Sequence, residues 1–225
     1  MMNLYPVTIV ENFYENPDAI RTFALSQKYQ FRHQIKNAKY VFPGCRTKDL
    51  SIINKPMYEN VCKKIISLFH NAEHDHMRWL ITTSFQSVGA AYGRGVIHTD
   101  SNTVFAAVLY LSPNAPLDTG TSLFRPNKHF DAAQYELALQ ANDRRFEAGE
   151  IAMDTKYHSM FDEIVRVNNV YNTLILYEGR HYHAANNFFG NSLKDARLAQ
   201  VFFVSKIDAQ TYSSFPLKRA QAIHI

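Results

Sequence analysis

A histidine and a carboxylate stand two residues apart in Val96-Ile97-His98-Thr99-Asp100. In an extended segment, residues i and i+2 point to the same face, so His98 and Asp100 can offer an imidazole nitrogen and a carboxylate oxygen to a common point. Those are two donors of the 2-His-1-carboxylate triad, which holds non-haem Fe(II) and leaves the opposite coordination positions open. The third donor has to be a second histidine. His183 is the candidate, in Tyr177-Glu178-Gly179-Arg180-His181-Tyr182-His183-Ala184-Ala185, and His181 competes with it because both face one side of an extended segment. A separate cluster, His70, His74 and His76 with Glu73 and Asp75, reads as a solvated loop where a helix ends, a place the helix dipole makes favourable for histidine.

The elements that must position these residues divide the chain in two. Val7-Thr8-Ile9-Val10 reads as a short strand. Asn16-Pro17-Asp18 is a helix start, with a capping amide, proline at the first helical position and an acid in the first turn. Residues 31–54 are mixed, with a loop at Phe42-Pro43-Gly44, and a second helix follows Lys55-Pro56 with Met57, Val61 and Ile65 on one side. From Arg78 the chain becomes strand-rich: Trp79–Val88, Thr103–Leu111, Thr121–Arg125, Phe161–Val167, Asn172–Tyr177 and Arg197–Val204. Ala132 to Arg145 reads as a helix between the two halves of the site.

About eight short strands with helices at the front and in one excursion predict a mainly β fold with α. The expected architecture is a double-stranded β-helix, or jelly roll, supported by N-terminal helices and one helical insertion. The 225 residues form one domain on this reading: a helical support region over 1–77, a core over 78–205 with an insertion at about 126–160, and a C-terminal tail over 206–225. A net charge of +4 with scattered basic residues permits an anionic substrate and argues against nucleic acid. Cys45 and Cys62 form no framework and no CxxC, which fits reduced thiols and a cytoplasmic setting. There is no run of about 18 apolar residues, so no membrane span is expected. No Gly-x-Ser-x-Gly and no phosphate-cradling loop is present, which removes the usual hydrolase and nucleotide-binding motifs.

Residues 78 to 205 resemble the core of the Fe(II)/2-oxoglutarate-dependent oxygenases, close in style to their prolyl-hydroxylase-like branch. His98-Thr99-Asp100 resembles the HxD motif. Leu109-Tyr110-Leu111-Ser112 with Thr119-Gly120-Thr121-Ser122-Leu123-Phe124 resembles the strand–turn–strand that often carries Gly-Gly-Thr. Tyr182-His183-Ala184-Ala185 resembles the distal histidine with a small residue after it, which favours His183 over His181. Arg197-Leu198-Ala199-Gln200-Val201-Phe202-Phe203 resembles the strand that begins with the co-substrate arginine.

The resemblance implies a metal site of His98, Asp100 and His183 that also makes up the catalytic set, and 2-oxoglutarate as co-substrate with O2. Arg197 would hold the far carboxylate through its planar fork, with Arg180 and Arg125 as rivals. Tyr110 would add a hydroxyl to the same carboxylate, unless it serves an unrelated buried partner. Hydroxylation with release of succinate and CO2 is the implied reaction, and the carboxylate of Asp100 argues against halogenation, where a small residue replaces it. Two departures stand out: the interval from His183 to Arg197 is long for a prolyl-hydroxylase relative, and Thr119 occupies the place of a turn glycine.

Two other readings fit parts of the pattern: a cupin-like metal enzyme that does not use 2-oxoglutarate, and a non-catalytic jelly-roll binding module in which the three ligands stay apart. The substrate, small-molecule, amino-acid or peptidyl, would be chosen by loops at 31–54, 86–97, 126–160 and 186–195.

Overall fold

A computed structural model describes residues 7–35, 42–68, 78–100, 102–151 and 153–208. The histidines at 70, 74 and 76 lie outside these residues, as does the chain beyond 208.

Ten strands form two sheets among the described residues. The larger joins β1 (Val7–Val10), β8 (Leu174–Glu178), β5 (Phe105–Tyr110), β10 (Arg197–Asp208), β4 (Arg78–Val88), β3 (Cys45–Thr47) and β2 (Tyr29–Phe31), in that order. The smaller joins β7 (Phe161–Val167), β6 (Thr121–Pro126) and β9 (Tyr182–Ala185). All pairings are antiparallel. The result is the jelly roll expected from the strand pattern.

The region before residue 78 contributes more than helical support. β1 extends one edge of the large sheet and β3 with β2 extend the other. β10 continues to Asp208, past the expected start of the tail. β2 and β3 have three residues each, too few for an alternating pattern to show in the sequence.

Two helices cover the outer face of the large sheet. In α1 (Pro17–Leu25) the Asn16 side chain accepts a hydrogen bond from Ala19 N. In α3 (Lys55–Ser67), which follows the short α2 (Leu50–Ile53), Asn54 does the same for Met57 N. Caps of this kind stabilise a helix by about 1 kcal/mol. Val61, Cys62, Ile65 and Ile66 of α3 are buried with Phe85, Leu109, Leu174, Leu198 and Phe202 of the sheet.

The opposite, inner face carries Ala106 and Tyr110 of β5 and Ile175 and Tyr177 of β8, packed against Leu123 and Val167 of the small sheet. α4 (Ala132–Ala148) starts at Asp131, which accepts from Ala133 N and Gln134 N, and stops at left-handed Gly149. Its Tyr135 packs with Phe130, Tyr157, Phe161 and Tyr182 against the outer side of the small sheet.

Candidate metal centre

His98 and His183 are cross-strand partners. Each N–H donates to the other's carbonyl, His98 N to His183 O at 3.1 Å and His183 N to His98 O at 2.9 Å. Antiparallel pairing of this kind places both side chains on one face of the ladder, and the two rings lie 4.3 Å apart between centroids. Asp100 joins them because its N–H donates to Gly179 O at 2.8 Å, on the turn between β8 and β9. Gly179 is required there: a Cβ would come within 2.3 Å of Thr103 O.

The donor atoms of His98, Asp100 and His183 all fall within 4.8 Å of one another. His98 Nε2 is 3.7 Å from Asp100 Oδ1 and His183 Nε2 is 3.4 Å from Asp100 Oδ2. Both histidines use Nδ1 on a backbone carbonyl, His98 on Val96 O and His183 on His181 O, each at 2.9 Å. A carbonyl only accepts, so each Nδ1 carries a proton and each Nε2 is the atom directed to the shared point. Loss of surrounding water and the neighbouring His183 pull the pKa of His98 down to about 4, so its imidazole is neutral at pH 7. Burial alone would raise Asp100, but His183, His98 and Arg46 outweigh it and bring the carboxyl to about 2. Two imidazoles and a carboxylate, the rings oriented through hydrogen bonds on their far atoms, suit a divalent first-row metal.

His181 stays outside this group; its Nε2 lies 3.6 Å from Glu178 Oε2. The three arginines separate cleanly. The Arg180 side chain is 80% exposed and paired with Glu178, and that of Arg125 is 55% exposed and paired with Asp162. Arg197 is 4% exposed, at the start of β10 on the inner face, and its Nε donates to Thr119 O at 2.9 Å. Its guanidinium lies 5.4 Å from the Tyr110 ring and 5.8 Å from Phe188. Tyr110 is fully buried and donates to Thr121 Oγ1 at 3.0 Å. The Thr119-Gly120 turn therefore sets the arginine, and Gly120 has no room for a side chain, since a Cβ would meet Val167 O at 1.9 Å.

Register orders these groups along the inner trough. Ala199 pairs with Gln86 and Tyr110, while Phe203 pairs with Thr82 and Ala106, and Ala106 with Tyr177. Tyr177 packs on His183 at 4.7 Å, so the ligand group sits at the Phe203 end and Arg197 deeper in the barrel. One neighbour was not visible in the sequence. Arg46, from the three-residue β3, places its charge close enough to act on both Asp100 and His98.

A family model described as "Family of unknown function (DUF6445)" matches residues 2–196, and the chain belongs to that family. A comparison with curated proteins returns no match. Among solved structures, the fold is similar to HygX from Streptomyces hygroscopicus, determined with nickel, 2-oxoglutarate and hygromycin B bound, at 10% identity and a TM-score of 0.54, covering 89% of this chain and 83% of that one. EvdO2 from Micromonospora carbonacea var. aurantiaca is similar at 12% identity and a TM-score of 0.51, covering 94% and 91%. The non-haem α-ketoglutarate-dependent epimerase SnoN from nogalamycin biosynthesis is similar at 13% identity and 0.50, covering 89% and 78%. The jelly roll of this chain is thus similar to the folds of the 2-oxoglutarate-bound HygX and the α-ketoglutarate-dependent epimerase SnoN. Among the described residues no helix is long and apolar enough to cross a membrane.

Proposed function

We propose that this DUF6445 member is an Fe(II)- and 2-oxoglutarate-dependent dioxygenase that hydroxylates an unactivated C–H of an amino-acid, peptidyl or small-molecule substrate. The observation that carries the reading is the His98–His183 backbone pair with Asp100 beside it, in a barrel that also holds a buried arginine. Iron with 2-oxoglutarate and O2 would supply the oxidising chemistry, converting 2-oxoglutarate to succinate and CO2 as oxygen is inserted into the substrate.

The chain's own residues divide the remaining work. His98, Asp100 and His183 would hold the metal, and the carbonyls of Val96 and His181 orient each ring so that Nε2 is the atom directed to it. Arg197 would receive the distal carboxylate, and Tyr110 would add a hydroxyl donor by turning its O–H from Thr121 Oγ1. Tyr177, Ile175 and Leu123 form an apolar wall between the two sheets beside the ligand group. Retention of Asp100 favours hydroxylation over halogenation. A cupin-like enzyme without 2-oxoglutarate has no use for a buried Arg197 with no carboxylate partner among the described residues, which counts against that alternative. We also assign the whole of residues 1–225 to one domain and the protein to the cytoplasm, on its two free cysteines.

The test is succinate formation. Purified protein supplied with Fe(II), 2-oxoglutarate and O2 is expected to release succinate slowly without a prime substrate, and H98A and H183A are expected to release none above the protein-free blank. Equal succinate from wild type and both variants would overturn the proposal.

A further inference from the structure

The inner trough contains a second guanidinium, half-buried, besides that of Arg197. Arg46 on β3 stands opposite Gln86 of β4, which pairs with Ala199 of β10, so it belongs to the same face as Tyr110 and Arg197. Its guanidinium lies between two aromatic rings, 4.4 Å from Phe42 and 5.4 Å from Phe203. Nη2 donates to Gln86 Oε1 at 3.1 Å, and Gln86 is itself fixed by donating Nε2 to Pro43 O at 2.9 Å. Nε is buried without a hydrogen-bond partner, and among the described residues no carboxylate lies within ion-pair distance. The carboxylate that acts on it electrostatically is Asp100, which the metal would occupy.

Arg46 is half-buried, but its Nε is sealed from water with no partner, and such a donor is costly unless something pairs with it. Arg197 accounts for one carboxylate deep in the barrel. Phe203 stands six positions further along β10, roughly 20 Å at about 3.3 Å per residue, and Arg46 is aimed at that end, where the ligand group sits. Thr82 and Ser84, on the same face of β4, leave this part of the trough open to solvent.

We propose that Arg46 is the recognition residue for a carboxylate on the prime substrate, with Phe42 and Phe203 flanking the group that bears it. The inference rests on the metal and 2-oxoglutarate reading and adds to it a substrate class: an organic acid, with the oxidised C–H a short distance from its carboxylate. A planar guanidinium oriented by Gln86 and sandwiched by rings discriminates a carboxylate from its amide by charge and by its acceptor-only edge.

The experiment uses zinc-substituted protein saturated with 2-oxoglutarate and titrates benzoate against benzamide by ligand-observed NMR. Wild type is expected to bind benzoate at least about tenfold more tightly than benzamide, R46M to lose that preference, and R46K to retain part of it. R197M should keep the preference while losing 2-oxoglutarate. Equal binding of the two probes by wild type, no benzoate binding by wild type, or loss of 2-oxoglutarate rather than benzoate in R46M would each overturn the inference. The wild-type comparison stands even if R46M does not fold. Calorimetry reads zinc and 2-oxoglutarate loading separately, so failure of the metal reading shows there; benzoate is then titrated against the unloaded protein under the same criteria.

Discussion

Arg197→Met isolates the group assigned to the distal carboxylate of 2-oxoglutarate. The wild-type guanidinium is 4% exposed, has Nε committed to Thr119 O, and has no carboxylate partner among the described residues. A carboxylate arriving there is desolvated and depends on that cation. Truncating one side of a buried, hydrogen-bonded charge pair costs about 2–5 kcal/mol, and the lower end already corresponds to about 30-fold in Kd. Folding should respond in the other direction. Methionine fills much of the volume, the unpaired buried charge disappears, and Thr119 O keeps a contact from Asn169 Nδ2 at 3.5 Å. The melting temperature of R197M is therefore expected to equal or exceed that of wild type, while the 2-oxoglutarate Kd rises at least about 30-fold. R197K, which keeps the charge without the fork, should fall between. Calorimetric titration of 2-oxoglutarate into zinc-loaded protein reads the affinity and a thermal melt reads the fold. A folded R197M that binds 2-oxoglutarate within about threefold of wild type would refute the reasoning.

Tyr110→Phe removes one buried hydroxyl, so the same titration should show a loss of about fivefold, the value of a hydrogen bond near 1 kcal/mol; no change would mean that the hydroxyl serves Thr121 alone. Gly120→Ala drives a Cβ into Val167 O and should destabilise the fold by about 2–4 kcal/mol in urea unfolding, weakening 2-oxoglutarate binding with it because Thr119 holds Arg197. The pH dependence of the metal-free protein follows from His98. Its folded pKa of about 4 lies below the usual 6.5, so between those values the unfolded chain takes up a proton that the folded chain refuses. Melting temperature should therefore fall as pH drops from 6.5 toward 4; burial also pushes His158 down to about 4, so it shares that window and H98Q should remove about half of the slope. Asp100 acts lower: its contribution is present above 3.8 and is lost as pH falls toward about 2. A wild-type slope in H98Q would contradict the assignment.

The part of this molecule that sequence made legible is the part governed by local rules. Asn16-Pro17-Asp18 announces the first helix through its cap and Lys55-Pro56 the start of another, and the strands from Arg78 onward announce themselves by length and β-branched content. Residues His98, Asp100 and His183 could be singled out because chemistry restricts their types, although only the backbone pairing between residues 98 and 183 explains why they meet. Between Arg197 and its rivals, sequence could not decide by physics, since burial is a property of the assembled barrel; Arg125 and Arg180 proved to be surface ion pairs. Arg46 was hidden for a different reason. Its strand is three residues long, its partner Gln86 is remote in the chain, and nothing in Gly44-Cys45-Arg46-Thr47 marks an inward-facing cation. The long interval between His183 and Arg197 is occupied by Phe188, which packs over the arginine, and by Phe189, whose carbonyl receives the Arg197 N–H at 3.3 Å.

The central claim is that one metal ion binds His98, Asp100 and His183 and that 2-oxoglutarate chelates it. Anaerobic titration of the metal-free protein with Fe(II), with and without 2-oxoglutarate, tests this most directly through the weak visible metal-to-ligand charge-transfer absorption of a keto-acid chelate. The account predicts an absorption that saturates at one iron per chain, requires 2-oxoglutarate, and is absent in H98A and H183A. Iron binding with no such absorption, or an absorption that survives both histidine substitutions, would contradict it.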